Sequence, residues 1–426
     1  MDKIKIYLAK PIGAARRLWQ KPVLSSVPST VVLKCDPSSI SFTADGEPQI
    51  TSAETLQALK EASHCLVSLL QPVVFPTETV YGLGALSLNS TASSRIFSTK
   101  GRPPDNPLIV HVSSTAMLRS LLPPNYIFSE AYQVLMDHFW PGALTLLFPS
   151  DPNLIPTIIT ANQPKVAIRM PSHPVARALI AIANAPLAAP SANSSGKPSP
   201  TRAEHVLRDL GGKVQIILDG GPCDVGLEST VVDGLHDDGN IRVLRPGGVT
   251  VEDIERVLQE RMQGEGRIPK VFVHRRDFKD DVLEEKPTTP GMKYRHYSPS
   301  VPVTLLRTSH PPEGTNPVDH VAFLTSLKTS AIDFQRPAKV GLLLPSDSPL
   351  MEVFLQETGI EWRTYHIGAI SEPAVTAQRL FDGLLTLDEE GVDLILIQEI
   401  AEEKEGLAVM NRVQKAAGTE EWIKIT

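Results

Sequence analysis

Apolar side chains recur at helical spacing in several parts of the chain, and short apolar runs separate those parts. Leu56, Leu59, Leu66 and Leu69 share one side of a helix, which predicts a helix over residues 54–70. One further helix is predicted up to Lys100 after a cap at Asn89 or Ser90, and another up to Leu210 after a capping box of Thr201 and Glu204. Two more are predicted, one over residues 251–262 with Thr250 as its cap and one over residues 374–387.

Short apolar runs between these helices predict buried strands. Those of the first half lie at residues 73–76, 108–112, 144–148, 166–170 and 214–218, and those of the second half lie at 301–306, 321–324, 340–344 and 394–397. Strands that alternate with helices are typical of α/β proteins, so the predicted fold class is α/β. The second set of strands predicts a smaller Rossmann-like, doubly wound domain.

Residues 264–300 separate the two α/β patterns. They lack periodicity, are rich in charge and contain prolines, which predicts a linker. This linker ends in an aromatic and basic cluster between Pro290 and Pro299, which is unusual because most linkers carry no such residues. The predicted division is a basic extension over residues 1–55, a first domain over 56–265, a linker over 266–300 and a second domain over 301–426.

The chain has 426 residues and a net charge of −7, which is unevenly distributed. Residues 72–250 hold 13 basic and 13 acidic side chains, whereas residues 251–426 hold 20 basic and 29 acidic ones. The large positive footprint of a nucleic-acid-binding protein is therefore not expected, but a basic pocket in the neutral middle is not excluded. The first 35 residues contain one acid, Asp2, and resemble a mitochondrial presequence; a disordered basic extension is the alternative.

Two standard nucleotide-binding motifs are incomplete in the first domain. Gly82 and Gly84 lack the third glycine of a dinucleotide-binding loop, and Gly196 lacks the earlier glycine of a Walker A loop. Lys100 and Arg102 lie instead on an irregular, proline-stiffened segment, where they are suited to hold phosphate oxygens. A solvated basic turn is the alternative.

A second candidate loop begins after the small apolar residues that precede Pro190. Ser191, Asn193 and Ser199 alternate there with prolines and small residues. Loops of this kind present hydroxyls and backbone N–H groups to anions. A plain Ser/Pro linker would have a similar composition, so this loop alone does not decide the function.

Single polar residues also fall within predicted strands. Arg169 lies inside one apolar strand and Arg245 ends another, where an anionic ligand or an internal ion pair would stabilise the charge equally well. His111 lies in a strand, where a histidine is more often a satisfied core group than a functional one. Cations and hydroxyls without a nucleophile triad or a metal cluster indicate a site that positions phosphates and stabilises charge.

Several segments taken together resemble the threonylcarbamoyl-AMP synthase family. They are PTETVYGLG at residues 76–84, KGRP at 100–103, NPLIVH at 106–111, AIRMP at 167–171, SAN at 191–193 and ESTV at 228–231. The layout is similar to the long form of that family, which has a YrdC-like twisted α/β catalytic domain, a linker and a Rossmann-like C-terminal domain. The resemblance covers residues 56–426 and rests, in the second domain, on the layout and on segment 406–417.

The resemblance implies a reaction in which L-threonine, bicarbonate and ATP give threonylcarbamoyl-AMP and pyrophosphate. This product feeds the formation of threonylcarbamoyladenosine in tRNA. A carbamate oxygen would attack the α-phosphorus in line, so the enzyme must neutralise charge on the leaving pyrophosphate and exclude water.

The family motifs also imply roles for individual residues. Lys100 and Arg102 would be the catalytic cations. The residues implied in ATP binding are Lys100, Arg102, Asn106, Lys165, Arg169, Ser191, Asn193, Ser199, Arg245 and Tyr297. The residues implied in threonine binding are Thr79, His111 and Ser229. The linker would fold over the site as a lid through Tyr297, assisted by Tyr294, Arg295 or His296.

Cofactors and partners follow from the same resemblance. ATP is expected as a substrate with Mg²⁺, although no carboxylate cluster in the sequence identifies ligands for the metal. The product would pass to a downstream threonylcarbamoyl transferase, and neither stable nucleic-acid binding nor a membrane association is expected. A cytoplasmic location is expected, with a mitochondrial form as the open alternative. An RNA-binding or regulatory protein that reuses the YrdC-like fold is the competing functional hypothesis.

Overall fold

The computed structural model describes residues 29–262, 267–285, 288, 296–330 and 336–425. Residues 1–28 of the predicted targeting segment, and the linker residues Tyr294 and Arg295, lie outside these residues. Two mixed α/β units follow one another along the described chain, each built on its own β-sheet. No helix in the described part of the chain is long and apolar enough to cross a membrane.

The first unit contains a large mixed sheet. Its strands are β1 (Val31–Lys34), β2 (Ile40–Phe42), β3 (Pro48–Ile50), β4 (Val73–Phe75), β5 (Gly82–Leu86), β6 (Ile109–His111), β7 (Leu144–Pro149), β8 (Lys165–Arg169), β9 (Leu187–Ala188), β10 (Ile216–Asp219), β11 (Thr230–Asp233), β12 (Ile241–Arg245) and β13 (Val271–Val273). Eleven of them form one sheet in the order β1-β10-β4-β5-β9-β6-β8-β7-β11-β12-β13, and β2 pairs with β3 separately.

Helices cover both faces of this sheet. They are α1 (Ala53–Val67), α2 (Ser90–Lys100), α3 (Thr115–Arg119), α4 (Glu130–Phe139), α5 (Thr157–Thr160), α6 (Pro174–Ala183), α7 (Ala203–Leu210), α8 (Val251–Arg261) and α9 (Asp281–Glu285). Val73 and Phe75 of β4 pack with α1 and α6, whereas Val74 packs on the other side with α2 and α4. Successive residues of a strand point to opposite faces, so this alternation explains why β4 is apolar throughout.

The second unit is a doubly wound domain. Its strands are β14 (Val303–Arg307), β15 (Val318–Asp319), β16 (Ala338–Leu343), β17 (Ile360–Thr364), β18 (Leu394–Gln398) and β19 (Thr419–Lys424), and its helices are α10 (His320–Ser330), α11 (Pro349–Leu355), α12 (Pro373–Glu389) and α13 (Glu405–Ala416). The sheet order is β15-β19-β14-β18-β16-β17 and every pairing is parallel. The Rossmann-like layout expected from the sequence is therefore confirmed.

One predicted strand of the second unit is wrong. Residues 321–324 were predicted as a strand, but they lie in the first turns of α10. Phe323 and Leu324 pack with Leu327 in the apolar cluster beneath this helix. A run of four apolar residues fits a strand or a buried helix equally well, and here the tertiary contact decides.

The predicted capping box at Thr201 is also wrong. The helix begins at Ala203 with Arg202 in the capping position, and no side chain caps its first turn. Thr201 lies one residue too early, and its hydroxyl has no hydrogen-bond partner among the described atoms. The caps at Asn89 and Thr250 are confirmed, since their side chains accept from the backbone N–H of Ala92 and Asp253.

Two predicted irregular segments contain part of the large sheet. Strand β1 lies within the predicted extension and pairs with β10, while β13 lies within the predicted linker and pairs with β12. The first α/β unit therefore extends beyond both boundaries predicted for it, from residue 31 to at least residue 273. These are edge strands, whose pairing depends on contacts distant in sequence.

The two units meet closely at Gly226. This glycine has a φ of +75°, and a Cβ added there would lie 2.2 Å from the backbone oxygen of Gln378 on α12. Only glycine fits this left-handed position against the backbone of the other unit. The contact brings α12 and α13 beside the loops of the first unit.

Candidate active site

A narrow cavity lies in the first unit where its loops meet the linker and the second unit. Its volume is about 60 Å³. Three of its side chains, His111, Arg169 and Arg245, are the last residues of β6, β8 and β12. The cavity also receives the loops after β4 and β9 and the segment after α2. The predicted site residues that line it are Thr79, Lys100, Arg102, His111, Arg169, Ser191, Asn193, Ser199, Ser229, Arg245 and Tyr297.

Lys100 is the last residue of α2 and is almost completely buried. Gly101 ends the helix in the left-handed conformation, with a φ of +61°, and turns the chain toward the cavity. The Lys100 ammonium donates to the backbone oxygens of Ser191 and Asn193. Burial, and then the nearby Arg102, hold the pKa of Lys100 well below its usual value. An anion bound in the cavity would stabilise the charged form of Lys100 and so raise its pKa.

Arg102 is held by the backbone of its own loop. Its Nη2 donates to the oxygens of Asn106 and Pro107, at 3.0 and 2.9 Å, while its buried Nε has no hydrogen-bond partner. Burial lowers the pKa of this guanidinium to about 10. Asn106 does not line the cavity, so its visible contribution is to position Arg102. A buried, partly unsatisfied guanidinium is typical of a site that awaits an anionic ligand.

Arg169 links the sheet to the loop after β4. Its Nη1 donates to the Thr79 hydroxyl at 2.9 Å, its Nε donates to the Gly142 oxygen at 3.1 Å, and its Nη2 lies 2.6 Å from Glu78 Oε1. Burial opposes ionisation of Glu78, but the charge of Arg169 outweighs it and lowers the pKa of this carboxyl. The ion pair fixes the orientation of Arg169, and Arg169 in turn fixes the Thr79 hydroxyl.

His111 is neutral in this environment. Burial, and then the charge of Arg169, lower the pKa of the imidazole to about 3. Its Nδ1 lies 3.2 Å from the Ile109 oxygen, so Nδ1 carries the proton of the neutral ring. His111 therefore offers the cavity a hydrogen-bonding group without adding charge.

Arg245 and Ser229 form the adjoining wall. Arg245 Nη2 donates to the Ser229 backbone oxygen at 2.8 Å and lies 3.3 Å from the Ser229 hydroxyl. That hydroxyl is 2.7 Å from the hydroxyl of Thr145 on β7. Burial lowers the pKa of Arg245. Ser229 is thus positioned from both sides by polar contacts.

The loop after β9 is folded back on itself around Asn193. The Asn193 side-chain amide donates to the backbone oxygens of Ser194 and Lys197, each at 2.9 Å, whereas its buried Oδ1 has no hydrogen-bond partner. Ser199 donates to Glu228 at 2.7 Å. The loop is consequently organised by internal hydrogen bonds before any ligand is bound.

Two linker residues, packed against the second unit, complete the cavity. Tyr297 is buried, has a φ of +67° and stacks on Phe381 of α12 with ring centroids 5.1 Å apart. Burial, and then the charge of Glu228, raise the pKa of its hydroxyl to about 12. A non-glycine residue held in this strained region is often found at a functional site. His296 lies beside it and also lines the cavity.

Lys165, like Asn106, is a predicted ATP-binding residue that is absent from the cavity lining. It begins β8, whereas Arg169 ends that strand at the cavity. Its ammonium pairs with Asp233 at 2.5 Å, and it is absent from the cavity lining. The strand separates the two residues by its whole length, so we do not assign Lys165 to the site.

Two residues were missed as participants by the sequence analysis. Glu228 belongs to the segment ESTV but was given no role, and among the described residues it is the only acidic one that lines the cavity. Arg412 of α13 is fully buried and contacts Glu228 from the second unit. Local sequence holds no signal for this pair, because 184 positions separate its members.

The cavity is strongly cationic. The part of its lining that the structure describes contains five cationic side chains, Lys100, Arg102, Arg169, Lys197 and Arg245, and one acidic side chain, Glu228. No group of three or more His, Cys, Asp or Glu residues suited to a metal ion occurs among the described residues. Such a lining attracts a polyanion and positions it through directed hydrogen bonds.

A two-unit α/β fold with a buried, phosphate-suited cavity at its domain junction defines an enzyme of anionic substrates. The family model described as "Telomere recombination", which covers Sua5, YciO and YrdC proteins, matches residues 71–247, and the model described as "Threonylcarbamoyl-AMP synthase, C-terminal domain" matches residues 249–418. A Schizosaccharomyces pombe threonylcarbamoyl-AMP synthase is 42% identical over 86% of this chain and 90% of its own length. The chain therefore belongs to the threonylcarbamoyl-AMP synthase family, in its two-domain form.

Two further relatives agree with this assignment. The threonylcarbamoyl-AMP synthase of Bacillus subtilis is 40% identical over 87% of this chain and 94% of its own length. The crystal structure of Pyrococcus abyssi Sua5 complexed with L-threonine has a TM-score of 0.70 and 34% identity, and the likeness covers 93% of this chain and all of that one. The likeness spans both units, so the YrdC-like and Rossmann-like fold expected from the sequence is confirmed.

Proposed function

We propose that the cavity performs the threonylcarbamoyl-AMP synthase reaction, with the buried cations holding ATP and the neutral polar wall holding threonine. The observation that supports this proposal is the cavity's composition, since its described lining combines five cationic side chains with the uncharged Thr79, His111 and Ser229. The reaction joins L-threonine, bicarbonate and ATP and releases pyrophosphate. It is the first step of threonylcarbamoyladenosine formation in tRNA, and the product would pass to a downstream transferase.

Lys100 and Arg102 are proposed as the catalytic cations. Both are buried, both have a lowered pKa, and Arg102 keeps an unsatisfied Nε. Negative charge that develops on the leaving pyrophosphate would be stabilised more strongly here than in water, because the cations are desolvated and already positioned. Arg245, Ser191, Asn193 and Ser199 would complete the nucleotide site from the neighbouring wall.

Thr79, His111 and Ser229 are proposed to bind threonine. Thr79 and Ser229 are held by Arg169 and Thr145, so their hydroxyls have fixed positions. His111 is neutral and would not pair with the threonine carboxylate as a cation; its Nε2 would accept a hydrogen bond from the amine or hydroxyl instead. The carboxylate would then face the arginines.

The linker is proposed to act as a lid through Tyr297 and His296. Tyr297 stacks on the second unit and closes the cavity, which excludes water from the carbamate and from the mixed anhydride. The small cavity volume implies that the lid and neighbouring loops move when ATP enters.

The described residues do not fit a Mg²⁺ ion held by the protein. Glu228, the single carboxylate of the cavity lining, already pairs with Arg412 and Ser199. Mg²⁺ binds through one or two carboxylates together with substrate phosphates and water. We therefore propose that Mg²⁺ arrives with ATP, and that calorimetry detects no Mg²⁺ binding until the nucleotide is present.

The proposed activity has a direct test. The full chain is incubated with ATP, Mg²⁺, threonine and bicarbonate, and pyrophosphate and the mass of the adenylate product are followed. Pyrophosphate release that depends on threonine supports the proposal, with serine and omitted bicarbonate as controls. Release that is independent of threonine, or no adenylate of the expected mass, would contradict it.

A further inference from the structure

Arg412 occupies an unusual position for a residue of the second unit. It belongs to α13, is completely buried, and approaches the catalytic cavity rather than the core of its own sheet. Its Nε and Nη2 lie 3.2 and 3.1 Å from Glu228 Oε2, and its Nη1 donates to the Pro246 backbone oxygen. Its guanidinium carbon is 5.9 Å from the centre of the Tyr297 ring.

Glu228 connects this arginine to the cavity wall. One of its oxygens receives the Arg412 hydrogen bonds, while the other receives the Ser199 hydroxyl at 2.7 Å. The next residue, Ser229, contacts Arg245. A change in the position of the Glu228 carboxylate would therefore displace two parts of the proposed nucleotide site.

The charge of Glu228 is a problem for a site that binds ATP. It is the only acid that the described part of the chain contributes to the cavity lining, and an unpaired carboxylate there would repel the phosphates in a poorly screened environment. Arg412 neutralises this charge by contacting Glu228 on the side that faces away from the cavity. Burial alone would raise the pKa of Glu228, but Arg412, and then Arg245, lower it to about 2, so the pair is ionised at neutral pH.

We infer that Arg412 is a positioning residue of the ATP site, through which the second unit neutralises and orients Glu228. This inference rests on the proposed ATP-binding role of the cavity. Arg412 touches neither the cavity nor a reacting atom, so it acts through Glu228. The second unit is thereby part of the nucleotide site, and its contribution is electrostatic as well as structural.

A second ion pair between the units provides a matched control. Arg202 Nε donates to Asp382 Oδ1 of α12 at 2.7 Å, and neither residue lines the cavity. Replacing Arg202 removes an arginine–carboxylate contact between the units without altering Glu228. An effect that came only from loosening the units would appear in both arginine variants.

The test compares Arg412→Met, Arg412→Lys, Glu228→Gln, Glu228→Gln/Arg412→Met and Arg202→Met in the full chain. The KM for ATP and kcat are measured by threonine-dependent pyrophosphate release, and a non-hydrolysable ATP analogue is titrated by calorimetry. Arg412→Met is expected to weaken ATP and analogue binding about tenfold or more, and Arg412→Lys to restore part of it. Arg202→Met is expected to stay within about twofold of the wild type.

The double variant separates charge from packing. Glu228→Gln/Arg412→Met is expected to bind the analogue as well as Glu228→Gln does, because no buried negative charge is left to neutralise. If Arg412→Met does not fold, the comparison of the double variant with Glu228→Gln decides. Equal analogue affinity in these two variants supports the inference, and an affinity about tenfold lower in the double variant overturns it.

The remaining outcomes are also decisive. Unchanged analogue affinity in folded Arg412→Met, or equal losses in Arg412→Met and Arg202→Met, would overturn the inference. Wild-type protein that binds the analogue but releases no threonine-dependent pyrophosphate would contradict the proposed function instead. The analogue titration keeps the two failures distinguishable.

Discussion

The two sheets of this protein place arginine differently at the ends of their strands. Arg169 and Arg245 end β8 and β12 and line a cavity whose cations outnumber its acids. Arg307 ends β14 of the second unit, where it pairs with both Glu399 and Glu420 at the surface. Residues at the ends of strands thus become a site in one unit and a closed ion-pair network in the other.

Unsatisfied polar atoms show the same difference. Arg102 Nε, Asn193 Oδ1 and His296 Nε2 are buried at the cavity without hydrogen-bond partners, whereas Trp422 Nε1 is the one such side-chain atom in the described part of the second unit. Native proteins satisfy nearly all buried polar atoms, so a group of exceptions points to a ligand. The comparison shows that the side chains at the strand ends, and not the presence of an α/β sheet, indicate where the site lies.

The largest predicted effect contrasts an arginine from each region. Arg102→Ala should lower threonine-dependent kcat/KM by about tenfold to a hundredfold, because it removes a positioned cation from the phosphate site. Arg307→Ala should change kcat/KM by less than about twofold while lowering thermal stability, since it removes only a structural network. Steady-state kinetics and thermal unfolding of both variants check this, and equal kinetic losses would break the contrast.

A smaller effect is expected when the second unit is removed. A chain that ends at residue 285 keeps every strand of the eleven-stranded sheet but loses Tyr297, Phe381 and Arg412. Its turnover should fall about tenfold because the cavity is no longer closed or neutralised. Pyrophosphate release by the purified fragment measures this. Full activity would show that the second unit contributes nothing to the site.

The next prediction concerns pH and isolates Glu228. The folded-state pKa of about 2 lies below the ordinary value of 4.5, so the pair stabilises the fold above that value and this contribution is lost as the pH falls toward 2. Between about pH 5 and pH 3 the wild type should lose on the order of 2 kcal/mol more unfolding free energy than Glu228→Gln. Chemical denaturation of both proteins at the two pH values tests this. Equal losses of unfolding free energy in the wild type and in Glu228→Gln would contradict the assigned ion pair.

The smallest expected effect is at a helix cap. Asn89→Ala removes the hydrogen bond to the Ala92 N–H and should lower the unfolding free energy by about 1 kcal/mol. The rate should stay within about twofold of the wild type, because the whole of α2 separates this cap from Lys100. Denaturation and kinetics of the same preparation measure both. A large kinetic loss would mean that α2 transmits changes to the cavity.

Local signals explain what the sequence could predict. Asn89 and Thr250 cap helices as expected, because a cap and the periodicity behind it lie within a few residues. Lys100, Arg102 and Asn193 could be selected as candidates because prolines and small residues surround them in unusual segments. Their convergence on one cavity came from the family resemblance rather than from local pattern.

Long-range contacts explain what it could not predict. Strands β1 and β13 contain short apolar runs, but their place in the sheet is defined by their distant partners β10 and β12. Lys165 and Arg169 occupy opposite ends of one short strand, and the composition of this segment does not show which end lies at the cavity. Glu228 and Arg412 form an ion pair across two domains, and only the three-dimensional fold brings them together.

A crystal structure with threonine and a non-hydrolysable ATP analogue tests the central claim most directly. The account predicts the phosphates within hydrogen-bonding distance of Lys100 and Arg102, with threonine beside Thr79 and Ser229. A nucleotide bound at the edge of the second sheet near Arg307, with the first cavity empty, would contradict it.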